Sequence, residues 1–99
     1  MRYGLDIIIL QFDGKQLNDV DGSTLTLKKV CVNALLAQAP DQNKMKGEEK
    51  IERYNLAKRV HEADEGITLT QEECVLIKEQ VATLYNNNLV IGRLSEVLK

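Results

Sequence analysis

Tryptophan is absent, and the only aromatic residues among the 99 are Tyr3, Phe12, Tyr54 and Tyr85. A core without large rings must come from Leu, Ile, Val and Ala, which suits packed helices better than a β-sandwich. Long apolar runs are missing as well. Ile7-Ile8-Ile9-Leu10 is as long as any, far short of the ~18 residues that cross a bilayer, so a membrane span is excluded. The N-terminus lacks the charged, long-apolar and small-residue order of a secretory signal, because Asp6 and Asp13 bracket too short an apolar stretch. A cytoplasmic location is expected.

Histidine occurs once, at His61, and the two cysteines, Cys31 and Cys74, stand far apart with no CxxC. No His/Cys zinc arrangement can be assembled from these without both distant cysteines and a fourth ligand. Both cysteines fall in apolar helical patterns and are expected to be reduced core residues. The six glycines form neither GxGxxG nor the phosphate-cradling GxxxxGK[ST], so nothing supports nucleotide binding. The charge balance is also modest, with 13 Lys and Arg against 15 Asp and Glu for a net charge of -2. That is a poor electrostatic footprint for a constitutive nucleic-acid binder.

What is present is an ordinary globular composition, 43% apolar and 28% charged, in a chain long enough for one core. The β-branched and aromatic string from Leu5 to Phe12 reads as a strand, and Asp13-Gly14 as its turn. A second Asp-Gly pair, Asp21-Gly22, closes Lys15 to Val20, which makes the first quarter a hairpin, with Thr24 to Thr26 as a third short pairing segment. No internal repeat or low-complexity tract is evident.

From Leu27 the period changes. Leu27, Val30, Cys31, Ala34 and Leu35 make one helical stripe, with Thr26 as the natural N-cap and Pro40 as the stop, followed by a loop over 38–47. Glu48-Glu49 sets two carboxylates at the positive end of a second helix that runs to about Ala63, with Ile51, Tyr54, Leu56, Ala57, Val60 and Ala63 as a broad apolar face and Gly66 as its terminator. Thr70-Gln71-Glu72-Glu73 is a capping box opening a third helix, whose inward stripe is Cys74, Ile77, Val81, Leu84 and Tyr85. Asn86-Asn87-Asn88 ends it, with Asn88 as the cap of a short terminal helix carrying Ile91, Leu94, Val97 and Leu98.

Candidate chemistry is sparse. Asn18-Asp19-Val20-Asp21-Gly22 invites comparison with a calcium loop, but with Gly22 at position 6 the first ligand position is Leu17 and the closing Glu position is Lys28, so a plain turn is expected. His61 as a general base would need a carboxylate such as Glu62 or Glu65 positioned on it, and these read more simply as solvated helix charge. Glu48-Glu49 and Glu72-Glu73 are explained by capping and the helix dipole. A helix-turn-helix reading would use Arg93 and Lys99 on phosphates, yet the segment LVIGRLSEVL has few polar side chains for base edges. No catalytic, cofactor-binding or metal-ligating residue is assigned.

The segments EEKIERYNLAKRV, ITLTQEECVLIKEQVATLY and VIGRLSEVL, in this order, resemble small proteins encoded by tailed bacteriophages and prophages, over about Thr24 to Leu98. The resemblance carries no functional residues across. It implies an accessory factor that binds other macromolecules in a bacterial host cytoplasm or in virion assembly.

The expectation is therefore a single α+β domain over 1–99, with a β-hairpin region at 1–26 packed on three to four α-helices in 27–99. It is read as a non-enzymatic protein-interaction or assembly module of phage type, a homo-oligomer that uses the apolar terminal helix and the open edge of the Leu5 to Leu10 strand. The alternative is a DNA-associated regulator using the C-terminal helices. No cofactor and no membrane association are expected.

Overall fold

The Asp13-Gly14 turn forms as the residues dictate. In a computed structural model, which describes residues 2–18, 22–37, 46–63, 66–85 and 87–98, Gly14 adopts φ +85°, the left-handed region open to glycine. Gly14 N donates to Gln11 O at 3.0 Å, and Gln11 N to Lys15 O at 2.8 Å. The Asp13 carboxylate accepts from Lys15 N at 3.0 Å. This is a three-residue hairpin loop with glycine at its bulge. Gly22 repeats the conformation at φ +86°, whereas Asp19, Val20 and Asp21, with the acidic loop they would form, lie outside the described residues.

The hairpin closes into a ring. Ile9 N donates to Leu25 O at 3.0 Å, Leu25 N to Leu17 O at 3.1 Å, and Leu17 N to Ile9 O at 2.9 Å. Single bridges join Leu10 to Gln16, Asn18 to Thr24, and Thr26 to Ile8. Ring members at 9, 17 and 25 are eight residues apart, and so are the paired positions around them. An eight-residue unit does run through the sequence, Ile9 to Phe12-Asp13-Gly14, then Leu17 to Val20-Asp21-Gly22, then Leu25. This corrects the reading that no repeat exists: the period is far shorter than the 20–50 residues of repeat architectures. Closure also corrects the expected open edge, because all three segments pair with both neighbours. Nor is Leu5 to Phe12 a continuous strand. Leu5 and Ile9 are buried, whereas Ile7, Ile8 and Leu10 are exposed.

Before the ring, β1 (Arg2–Tyr3) pairs antiparallel with β2 (Ile67–Thr68), Arg2 opposite Thr68 and Tyr3 opposite Ile67. The contact depends on Gly66, where a Cβ would stand 2.8 Å from Arg2 Nε and 3.2 Å from Tyr3 O. Gly66 thus serves a close approach of two strands and does not terminate the second helix, which ends earlier with Ala63 N bonded to Val60 O at 3.3 Å. Tyr3 hydrogen-bonds Cys74, and that bond, with desolvation, raises the phenol above its ordinary value.

Among the described residues four helices follow the ring, and the α+β class holds. In α1 (Leu27–Leu36), Thr26 caps the Lys29 N–H at 3.1 Å, and the five residues of the expected stripe are all buried. Pro40 and the loop around it lie outside the described residues. In α2 (Gly47–Glu62), Leu56, Ala57 and Val60 are buried, but Ile51 and Tyr54 are 60% and 56% exposed. The broad apolar face is thus corrected to a narrow one in the C-terminal half of the helix. The capping box opens α3 (Gln71–Leu84), with Glu73 N to Thr70 Oγ1 at 3.1 Å and Thr70 N to Glu73 Oε1 at 2.9 Å. Cys74, Ile77 and Val81 are buried, whereas Leu84, the last residue of the helix, is exposed.

The last helix, α4 (Asn88–Val97), is capped by Asn87, not Asn88, through bonds from Leu89 N and Val90 N at 2.9 and 3.4 Å. Its Val90 and Leu94, with Leu98 just beyond its end, are buried in the monomer, so most of the apolar surface expected to serve an interface is core instead. Helix α1 lies at the centre, packed against α2, α3 and α4. That position explains why Val30 and Cys31 have no exposed surface at all. Cys31 and Cys74 are free and buried, and burial pushes the Cys31 thiol up to about 12.

Candidate protein-interaction groove

Helices α1 and α2 run in opposite directions side by side: Lys28 Nζ, near the start of α1, reaches Ala63 O past the end of α2 at 2.6 Å. Leu36, at the far end of α1, faces Tyr54 across a cleft of ≈ 310 Å³. Val32, one turn before Leu36, completes the α1 wall. On α2 the wall is Tyr54, Ala57, Lys58 and His61. Leu36 is 55% exposed, so this end of the groove presents a large apolar surface to solvent together with Ile51 and Tyr54.

The groove changes character along its length. Val32 and His61 also line an adjoining cleft of ≈ 420 Å³, whose other walls are Thr26, Lys28, Lys29 and Asn33. Lys29 Nζ is bonded to Ser23 Oγ at 2.6 Å, and Asn33 Nδ2 to the Tyr85 hydroxyl at 3.3 Å. The surface therefore passes from apolar at Leu36 and Tyr54 to basic at Lys58, Lys28 and Lys29. His61 stands at the junction. Among the described residues no Asp or Glu lines either cleft, and Glu65 lies outside the described residues. No group of three His, Cys, Asp or Glu among the described residues is placed to hold a metal ion.

A second apolar surface lies on the ring. Phe12, 92% exposed at the hairpin tip, sits under the Arg93 guanidinium at 5.5 Å. Arg93 Nε also donates to Leu10 O at 3.1 Å, and Arg93 pairs with Glu96 at 3.7 Å. The side chain offered by the helix-turn-helix reading as a phosphate contact is thus already tying α4 to the hairpin, and Lys99 lies outside the described residues.

Sequence reasoning missed the groove because it assigned Ile51 and Tyr54 to the core. A signal was available. Val32 and Leu36 fall outside the stripe of α1 that the core uses, and their i, i+4 spacing already marks a second apolar strip on that helix. Among the described residues no helix is long and apolar enough to cross a membrane. Comparison of the chain with protein-family models, with curated proteins and with solved structures finds no match.

Proposed function

We propose that this chain is a non-enzymatic protein-interaction module, a self-associating accessory factor of the kind found among small phage and prophage proteins. The observation that carries the reading is the exposure of Leu36, Ile51 and Tyr54 on adjacent helices, at the open end of a groove. Large apolar side chains clustered on two helices are costly to leave in water and mark a surface that binds protein. The phage context rests on the order and composition of the helical segments alone. A DNA-associated regulator has less to stand on, since Arg93 is engaged within the fold and the apolar side of α4 is buried.

Molar mass by light scattering tests the reading. Association that grows with concentration supports it, and a strict monomer at every concentration counts against it.

A further inference from the structure

We propose that the α1/α2 face is a homodimer interface in which α2 pairs antiparallel with α2 of a second copy, each Ile51 seated in the partner's groove. The proposal rests on the reading of the chain as a self-associating module and names the surface it uses. Tyr54, Ala57, Lys58 and His61 stand at i, i+3, i+4 and i+7 on α2 and together wall the cleft. Four residues at that spacing form the hole that receives one side chain from a facing helix. Val32 and Leu36 of α1 deepen it.

Ile51 is the matching knob. It is 60% exposed and lies one turn before Tyr54. Because knob and hole belong to the same helix, two copies facing each other antiparallel each supply one of both, which is the condition for a closed two-fold interface. The register then follows. With Ile51 over the partner's Ala57 and Lys58, Glu48, one turn earlier, meets the partner's His61 beside the partner's Lys58. A parallel pairing would set Glu48 against the partner's Glu48, like charge against like. An acidic segment of some other protein would satisfy the basic end of the groove but leave Ile51 uncovered, and so a second copy is the better occupant. At 16 residues α2 is ~24 Å long, and with α1 beside it the face is about 20 Å wide, a small interface by the standards of stable dimers. Dissociation in the micromolar range is the expected consequence.

The test is sedimentation equilibrium on the full chain from about 1 to about 300 μM, a range suited to weak interfaces. The unaltered chain should pass from monomer to dimer, and Ile51→Ser should weaken the dimer by about tenfold or more, as loss of a buried anchor does. Glu48→Lys and Lys58→Glu should each weaken self-association, and mixing these two variants should restore it, because each then faces its opposite charge. Circular dichroism confirms that the variants, all at exposed positions, keep the fold. A dimer indifferent to Ile51→Ser and the charge exchanges but lost on Phe12→Ser would overturn this interface and leave the self-association reading standing. A monomer throughout would sink both.

Discussion

Arg59 and Glu73 are bound at 2.6 Å, joining the outer side of α2 to the first turn of α3. Both ends of the contact are anchored. Arg59 Nη2 also donates to Thr68 O at 2.8 Å, and the other Glu73 oxygen accepts from Thr70 N. Helices α2 and α3 share little packing of their own, so the direct link between them is this bridge and β2, with α1 packed against both.

Stability should fall in acid through Glu73. Desolvation works to raise its carboxyl, but the bonds from Thr70 and Arg59 outweigh it and hold the group below its ordinary value of 4.5. A depressed carboxyl stabilises the fold above its unfolded value, and that contribution is lost as pH falls through the folded value. Glu73→Gln should therefore flatten the urea midpoint between pH 5 and pH 3 relative to the parent chain, starting from a loss of about 1 kcal/mol or less at neutral pH, because Arg59 is half exposed. Thr70→Ala should cost about 1 kcal/mol through the lost cap.

Gly14→Ala should destabilise by about 1–2 kcal/mol, read from urea unfolding at pH 7. The space is open, with nothing within 4 Å of a Cβ there. The cost is therefore conformational, arising from φ +85° alone, and Gly14→Asn should recover part of it, since asparagine tolerates the left-handed region.

Arg53 keeps Nη1 buried with no hydrogen-bond partner among the described residues. Arg53 as a whole is only half-buried, and replacing a side chain that leaves one buried donor unsatisfied by an apolar chain of similar length is neutral or favourable. Arg53→Met should hold or raise the melting temperature, with a gain of up to about 1 kcal/mol from the removed desolvation penalty. A loss above that size would show that the guanidinium makes a contact that matters.

Neither thiol should react with an aromatic disulfide reagent in the native protein at pH 8. Cys31 is fully buried and its thiol is pushed up to about 12, so the reactive thiolate is scarce even where reagent could enter. Both should react at once in denaturant, and the native rate should track global unfolding.

The helical half was legible because its signals are local. The stripe of α1 and the capping box of α3 depend on spacing within one helix, and both appear as expected. The ring was not legible in the same way. It is built from single bridges instead of ladders, so Ile7, Ile8 and Leu10 look like strand residues and yet stand exposed. The pairing of Arg2–Tyr3 with Ile67–Thr68 left no trace in either segment, since two residues are too few to show a period. The groove was missed for a related reason: periodicity finds the apolar side of α2 but does not say that only Leu56, Ala57 and Val60 of it are buried.

The ring has a consequence for the order of folding. Its three hydrogen-bonded corners, Ile9, Leu17 and Leu25, lie within a short stretch of the chain, and hairpins of that span form in about 1–10 μs while distant contacts wait on chain entropy. The N-terminal segment should therefore acquire its shape early and almost unaided, handing α1 a fixed starting point at Thr26. Arg2 and Tyr3 must wait for a strand that arrives more than half the chain later. They are the latch that shuts last, and removing them should speed unfolding far more than it slows folding.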